Sequence, residues 1–432
     1  MFFPNPKKWI LPNPLDPVQR IDQELSDRRH RLTMGLSIAH DFGSVLGALV
    51  ITEGHGKYLR LKHAVSDSFE LPDAVRDNCL ELVRAGSPDF AGILAAKADL
   101  SRALCPMIET LKQNAGKYVD RLLLVSINDP GLWFQDFDDQ VGFSNWIDPV
   151  CVAELTGITT LDAFPTRDMA VGGSGQNLNC LPLWLMMADR SKTISDQHHL
   201  FLKINKTSQL VFLPASDGLE AEVPKIQSAH TMGRDFLDRV LEFFELGQVQ
   251  DLSHQLNVQG QTLPRLLQAW RTQQANTAFS NLDDYLNCCR KLPLQAPSAA
   301  DIVRTSLVFL IDHLHATASR LAAGNKLSQV FIETPEDLAP SFVNQIDRTF
   351  ESASARLVDE CGLKNGRVDA AATAVLGLLN IDQMPANIPW ITNAESQRIL
   401  GRLTPGRPSN WRQVLREMAD FQPPAMRLRD AI

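Results

Sequence analysis

The order of hydrophobic and polar residues along the chain predicts a mixture of short strands and longer helices. Three strands are expected in succession at residues 32–38, 45–52 and 59–65, because apolar runs there are bounded by polar turns. Further strands are predicted at residues 121–126, 199–204, 209–213 and 329–333. Helical periodicity covers residues 73–85, 90–115, 341–361 and 368–378, and most of 232–321. The pattern therefore indicates an α/β protein.

Residues 156–178 carry the strongest chemical signal. A β-rich run is followed by Asp168, then by Gly172, Gly173 and Gly175, and an apolar stretch at 181–187 predicts a buried helix. Glycines permit positive φ and close approach of the backbone. We expect Asp168 to lie beside backbone N–H groups near a helix start, where a carboxylate could take a proton from a hydroxyl. A structural turn capped by a carboxylate is the alternative interpretation.

Composition bounds the class of protein. With 432 residues and 44% hydrophobic content, the chain is long enough to bury two cores, so two domains are expected. A net charge of −8 argues against partners such as nucleic acid or an anionic membrane. No apolar run approaches the roughly 18 residues of a membrane span. Seven cysteines, without CxxC spacing, favour reduced thiols over disulfides or zinc ligands, and no metal site is predicted.

The start of the chain, MFFPNPKKWILPNP, has prolines where a signal peptide needs an uninterrupted apolar helix. We therefore expect a cytoplasmic protein.

Residues 156–178 resemble the anhydro-N-acetylmuramic acid kinase family, whose members carry TGIT, a short strand and RDxAxGGQGAPL. The TGIT motif is present from Thr156, and the second motif is matched at Arg167, Asp168 and the three glycines. The sequence NIPWITNAESQRILG, from Asn387 to Gly401, is similar to the family's NxPSVTGA…VLG. With weaker likenesses at residues 35–50 and 367–376, the resemblance covers roughly residues 35–405.

The resemblance implies a two-lobed actin/hexokinase-like (ribonuclease H-like) fold around a central cleft. It also implies an ATP-dependent kinase that opens the anhydro bridge of a cell-wall amino sugar during peptidoglycan recycling. Asp168 matches the family's proposed general base. The candidate substrate-binding residues are Arg167, Gly172, Gly173, Gly175 and Asp148, the last matching an acid in the family's IGD loop.

The chain departs from the family at the turns that face phosphate. The first turn, GTSxDG, becomes AHDFGS, where His40 and Asp41 replace both hydroxyl residues. The second, NIGGIAN, becomes KINKTSQ, which begins at Lys203 and has Asn205 at a glycine position. Side chains thus replace the glycines whose backbone N–H groups approach phosphate.

Three other ligand-facing motifs are also changed. TGPGN is reduced to HTMGR, which keeps Gly233, and the adenosine-side GGG becomes ETP from Glu333. A glutamate there would repel a nucleotide's charge. The sugar-side loop HGQT becomes NDPG, which contains Asp129. We therefore expect no nucleotide-binding site and no cofactor.

By this resemblance the predicted organisation has five parts. Residues 1–30 form a proline-rich arm, 31–155 the first α/β lobe, 156–385 the second lobe, 386–404 a return segment and 405–432 an extension. Ser409 or Asn410 could cap a helix in the extension, which Pro423 and Pro424 would end. Trp411, Val414, Leu415 and Met418 would share one face of that helix, which either docks on the protein itself or forms a partner surface.

Three functions follow. The first is a pseudokinase without ATP binding, which acts as a sugar-binding protein or as an interaction protein through its termini. The alternative is an active kinase with rewired phosphate contacts, which would use ATP and Mg²⁺ with His40, Asp41 or Asp148 near the metal. The third is a sugar hydrolase in which Asp168 activates water. An amino-sugar ligand and a homodimer are expected.

Overall fold

The structure is a computed structural model in which the chain divides into two compact units. Unit 1 comprises Met1–Thr166, Thr373–Pro385 and Ile399–Ile432, and unit 2 comprises Arg167–Ala372 and Ala386–Arg398. The residues that the structure describes are 24–25, 27, 29–85, 89–135, 141–190, 197–216, 223–246, 260–276, 282–291, 298–335 and 338–420. Most of the predicted arm, together with Pro423 and Pro424, lies outside the described residues. Among the helices of the described ranges, none combines the length and apolarity that crossing a bilayer requires.

Unit 1 is built on a six-stranded sheet. Its strands are β1 (His30–Ile38), β2 (Ser44–Glu53), β3 (Arg60–Glu70), β4 (Leu122–Asn128), β7 (Thr159–Asp162) and β13 (Arg402–Thr404). The strand order is β13-β7-β4-β1-β2-β3. β1, β2 and β3 are antiparallel, whereas β4 and β7 run parallel to β1. All nine residues of β1 are buried, as expected for a central strand that is covered on both faces.

Helices cover this sheet and form one core with it. The long helix Phe90–Gln113 packs against β2 and β3, and it contributes Leu100, Leu104 and Leu111 to the core. The other helical segments of unit 1 are Gly56–Tyr58, Asp73–Arg84, Gly116–Arg121, Pro149–Thr156 and Pro408–Asp420. A separate hairpin is formed by β5 (Leu132–Gln135) and β6 (Val141–Ser144).

Unit 2 is built on a five-stranded sheet in the order β10-β9-β8-β11-β12. The strands are β8 (His198–Ile204), β9 (Thr207–Leu213), β10 (Gln227–Met232), β11 (Leu327–Glu333) and β12 (Ser354–Leu357). Its core contains a cluster of aromatic rings, Phe236, Trp270, Tyr285 and Phe309. The helical segments are Cys180–Met187, Arg234–Phe243, Pro264–Asn276, Leu282–Lys291, Ala299–Ala322, Ala339–Thr349, Val358–Cys361 and Pro389–Thr392. Helices Phe164–Met169 and Val368–Ile381 each begin in one unit and end in the other.

The two sheets share one topology. In each, three antiparallel strands are followed, on the far side of the first strand, by two parallel strands. In unit 1 these five strands are β3-β2-β1-β4-β7, and in unit 2 they are β10-β9-β8-β11-β12. This repeated arrangement confirms the predicted α/β class of the actin/hexokinase-like (ribonuclease H-like) type. The predicted central cleft stays a prediction.

The predicted boundaries differ from the two units at three places. β7 pairs with β4, so unit 1 continues to Thr166 and does not end at residue 155. Residues 373–385 also belong to unit 1, and the predicted return segment is divided between the units at Arg398. Periodicity identifies a strand or helix by its local pattern, but it carries no information about which sheet the element joins.

One predicted helix is too long. The helix expected at residues 341–361 ends at Thr349, and β12 follows at Ser354–Leu357. β12 alternates between exposed and half-buried residues, as a sheet strand with one solvated face does. Four residues are too few for this alternation to be distinguished from helical periodicity in sequence.

The C-terminal helix, Pro408–Asp420, packs against β4 and β7 of its own unit. Val414 is fully buried, whereas Leu415 is 44% exposed. The helix begins before Ser409 and Asn410, so neither is its N-cap, and Asn410 is buried instead. The interpretation that this helix docks on the protein itself is therefore confirmed.

Candidate functional site

Asp168 lies in the last turn of helix Phe164–Met169, and its carboxylate is completely buried. Its Oδ2 accepts a hydrogen bond from the N–H of Gly175 at 2.8 Å. Its Oδ1 accepts from Asn387 Nδ2 and from Thr392 Oγ1, both at 2.8 Å. A buried carboxylate that accepts three hydrogen bonds has the geometry of a group that stabilises the local fold. The role of Asp168 as a general base stays a prediction.

The glycines allow the loop to fold around this carboxylate. The carbonyl oxygen of Asp168 accepts from the N–H of Gly173 at 3.0 Å, and a Cβ at Gly173 would overlap the Asp168 carboxylate. Gly172 and Gly175 have φ angles of 78° and 68°, in the left-handed region that favours glycine. The loop therefore needs all three glycines for its conformation, whether or not it binds a ligand.

The two segments that resemble the family meet at this loop. The side chains of Asn387 and Thr392 bind Asp168. Backbone hydrogen bonds also join the two segments, since the N–H of Ser174 donates to Thr392 O at 2.7 Å. The N–H of Glu395 donates to Val171 O at 2.8 Å. Sequence reasoning missed Asn387 and Thr392 as partners of Asp168, although both lie in the second matching motif. Their shared presence in that motif is the signal that could have found them.

Arg167 is exposed, and no ion pair joins its guanidinium to another described residue. It is thus an available cation next to the loop.

Asp148 lies in unit 1, where it acts as the N-cap of helix Pro149–Thr156. Its Oδ1 accepts from the N–H of Val150 at 3.0 Å, and its own N–H donates to Ser101 Oγ at 2.7 Å. An N-cap aspartate satisfies a free N–H group at the helix start. Its predicted contact with substrate stays a prediction.

The turn between β1 and β2 contains His40 and Asp41, both exposed. Phe42, the next residue, has a φ of 53° and is buried. Its ring lies 5.3 Å from the ring of Trp146. Asp41 Oδ1 accepts from the N–H of Gly43 at 2.9 Å. One of the acids predicted near a metal is therefore engaged with its own turn.

A partly buried ion network, of which Glu333 is the fully buried member, lies at the second changed turn. The ammonium of Lys203 bonds to Asp369 and lies 3.7 Å from Glu333 Oε2. Glu333 Oε1 also accepts from the N–H of Val368 at 3.0 Å. Burial alone would lower the pKa of Lys203, but the two carboxylates raise it above its ordinary value. Burial raises the pKa of Glu333, which Lys203 opposes. When all three are ionised, the trio carries a net negative charge.

The turn that follows Lys203 is closed by backbone hydrogen bonds. Helix Arg234–Phe243 begins against it, and the N–H groups of Arg234 and Asp235 donate to Asn205 O at 2.7 Å and Lys206 O at 3.1 Å. A Cβ at Gly233 would overlap the carbonyl oxygens of this turn. Two of the helix's free N-terminal N–H groups are thus already used.

A chain of polar side chains, not anticipated from the sequence, connects the glycine loop to Lys203. Gln209 Nε2 donates to Asn177 Oδ1 at 3.3 Å and to Asn179 Oδ1 at 3.1 Å. Asn179 Nδ2 donates to Asp369 Oδ1 at 3.3 Å, and His230 Nε2 contacts Asn177 Oδ1 at 2.5 Å. Side chains of unit 2 therefore satisfy one another across this surface.

Asp129, in the loop that replaces HGQT, is buried in unit 1. Its carboxylate accepts from the N–H groups of Gly131 at 2.8 Å, Trp146 at 3.0 Å and Ile147 at 3.2 Å. Burial raises the pKa of Asp129 to about 6, although these N–H groups oppose the shift. Asp129 therefore holds a proton in the folded state at pH values where the unfolded chain has lost it.

This raised pKa makes the stability of unit 1 depend on pH. Since the folded state binds the proton more tightly, the free energy of unfolding should fall by about 3 kcal/mol between about pH 4 and pH 6. Asp129→Asn cannot titrate and should remove this part of the pH dependence, as measured by urea unfolding across that range. Asp148→Asn keeps an equivalent N-cap and serves as the control. Identical pH slopes for Asp129→Asn and the wild type would contradict the assignment.

The chain is similar to known proteins over most of its length. The sequence profile of the anhydro-N-acetylmuramic acid kinase family matches residues 45–196 and 274–406. A kinase of that name from Mannheimia succiniciproducens is 24% identical over 366 residues, which cover 80% of this chain and 92% of the relative. A second kinase of that name, from Gloeobacter violaceus, is 23% identical over an alignment that covers 87% of this chain and 98% of the relative.

Among solved structures, the activator of 2-hydroxyisocaproyl-CoA dehydratase from Clostridium difficile aligns with 81% of this chain at a TM-score of 0.39 and 9% identity, over 94% of its own length. The profile match covers well over half of the chain and includes the glycine loop and the segment that binds Asp168. The chain therefore belongs to the anhydro-N-acetylmuramic acid kinase family.

Proposed function

We propose that this member of the family is a pseudokinase: it binds an amino sugar without binding ATP and without transferring phosphate. The observation that carries the proposal is the ion network of Lys203, Glu333 and Asp369. It lies at two of the turns that the resemblance assigns to the nucleotide, and its two carboxyl groups hold the Lys203 ammonium, a cation that could otherwise face a phosphate.

Nucleotide phosphates need backbone N–H groups or cations that are free to bind them. Here the ammonium of Lys203 is held between two carboxylates, and the N–H groups of Arg234 and Asp235 are bonded to the adjacent turn. Asn205 and Lys206 carry side chains at positions where the family has glycine. These residues therefore fit an ATP–Mg²⁺ complex poorly.

The extent of the family match supports the same proposal. The matched residues begin at 45, directly after the first phosphate turn, and they omit 197–273, which include the second and third turns. The matched residues do include Asp168, Asn387 and Thr392. The match thus includes the glycine loop and its supporting segment, which the resemblance assigns to the sugar, and of the four changed nucleotide turns it includes only the one at Glu333.

The geometry of Asp168 also favours binding over catalysis. A general base must reach the proton that it removes, and this carboxylate is buried with three donors already bound. The C-terminal helix packs on its own unit, so we do not propose it as an interaction surface. A sugar-binding role remains the function that the geometry supports best.

The proposal predicts that ATP does not stabilise the protein. A ligand at about 100 times its Kd raises the free energy of unfolding by roughly 2.7 kcal/mol, so binding would appear as a rise in melting temperature. We expect no shift with millimolar ATP and Mg²⁺, and no heat of binding by calorimetry. The Mannheimia relative, tested under the same conditions, provides the positive control.

A micromolar dissociation constant for ATP that depends on Mg²⁺ would contradict the pseudokinase proposal. It would favour the active kinase with rewired contacts, which incubation with radiolabelled ATP and 1,6-anhydro-N-acetylmuramic acid would then test. Release of a hydrolysed sugar without ATP would instead indicate the hydrolase.

A further inference from the structure

Trp390 is an exposed aromatic residue on the segment that supports Asp168. It lies in the short helix Pro389–Thr392, and 47% of its surface is exposed. This chain carries tryptophan where the family pattern NxPSVTGA has serine. Tryptophan is highly buried on average, so a half-exposed ring on the segment that supports the glycine loop calls for a physical explanation.

The indole is anchored at its edge. Its Nε1 donates to Ile226 O at 2.7 Å, and Ile226 is completely buried. Two residues further on, Thr392 binds the Asp168 carboxylate with its hydroxyl and the N–H of Ser174 with its carbonyl oxygen. The ring is therefore attached to the same framework as the glycine loop, and binding a ligand would cost little further ordering.

Trp390 does not belong to an exposed apolar patch of unit 2. Among the described residues of unit 2, it is the one large hydrophobic side chain that is exposed; Tyr58, Val83, Phe90 and the others all belong to unit 1. Arg167, Ser174 and Glu395, on the segments joined to its helix, are exposed. A protein partner would need a contiguous apolar patch, whereas a single exposed aromatic ring, with exposed polar residues on the segments joined to its helix, suits a small polar ligand.

We propose that Trp390 is the stacking platform for the pyranose ring of the amino sugar. The C–H groups on one face of a pyranose are weakly positive, and the face of an indole is negative, so the two surfaces attract while hydroxyls bind neighbouring polar groups. This inference rests on the proposed sugar-binding function and names a residue that contributes to the affinity for the sugar. It requires no covalent step.

The test compares variants of the full-length protein by calorimetric titration with 1,6-anhydro-N-acetylmuramic acid. Trp390→Ala should weaken binding at least roughly tenfold, because the ring is lost. Trp390→Phe keeps an aromatic ring but loses the hydrogen bond to Ile226, and it should remain within about threefold of the wild type. Phe90→Ala removes an aromatic side chain of unit 1 that is 75% exposed, and it should leave the affinity unchanged.

The outcomes separate this inference from the proposed function. If the wild type binds the sugar and Trp390→Ala binds it equally well, the stacking role is wrong and sugar binding stands. An equal loss in Trp390→Phe and Trp390→Ala would assign the effect to the anchoring hydrogen bond, which also overturns stacking. A wild type that binds no sugar would remove the sugar-binding function, and the role of Trp390 with it. Melting temperatures of all variants confirm that each is folded.

Discussion

Asn410→Ala is expected to lower the free energy of unfolding of unit 1 by about 4 kcal/mol, since each buried group left unpaired costs about 1–3 kcal/mol. Asn410 Oδ1 accepts from the backbone N–H and the hydroxyl of Thr159, both at 2.7 Å. Its Nδ2 donates to Leu122 O at 2.9 Å and Leu123 O at 3.0 Å. One side chain therefore binds groups on β7 and at the start of β4, and alanine would remove all four of these buried hydrogen bonds.

Urea unfolding followed by tryptophan fluorescence measures this loss. Leu415→Ala, on the exposed side of the same helix, is the matched control and should change stability by less than about 0.5 kcal/mol. Truncation after Pro405 removes Asn410 and Val414 together, so it should destabilise unit 1 at least as much. A truncated chain as stable as the full one would show that the helix is dispensable, contrary to its contacts.

Asp168→Ala should lower the free energy of unfolding of unit 2 by about 4 kcal/mol, again because buried donors lose their acceptor. The N–H of Gly175, the amide of Asn387 and the hydroxyl of Thr392 would all be left unpaired. Asp168→Asn should be almost as damaging, since an amide NH₂ cannot accept hydrogen bonds from the donors on its side. Hydrogen exchange at the 171–175 loop would report the same loosening.

Arg167→Ala is the control for this prediction. Arg167 is the exposed neighbour of Asp168, and its removal should alter stability by less than about 0.5 kcal/mol. A catalytic carboxylate that strains its site often shows the opposite behaviour, in which substitution stabilises the protein. Stabilisation by Asp168→Asn would therefore contradict the structural role and return the general base to consideration.

The sequence was sufficient for those features that depend on local chemistry. The β1–β2–β3 hairpins, the long helix Phe90–Gln113 and the buried helix Cys180–Met187 follow from periodicity. The loop of Gly172, Gly173 and Gly175 follows from the conformational freedom that only glycine has. The resemblance in residues 156–178 and 387–401 was likewise sufficient for the fold class and the family.

Only the tertiary structure decided which distant residues meet. Asp168 bonds to Asn387 and Thr392 more than 200 positions away, and Lys203 pairs with Asp369 and Glu333. Periodicity predicted the C-terminal helix, but it left open whether the apolar face of that helix packs on the protein itself or on a partner. Residue spacing predicts which face of an element is apolar, and residue type predicts which turns need glycine. Both depend only on neighbours within a few positions. Pairing between buried polar groups depends on where the whole chain places them, and that is settled by the packing of complete sheets and helices.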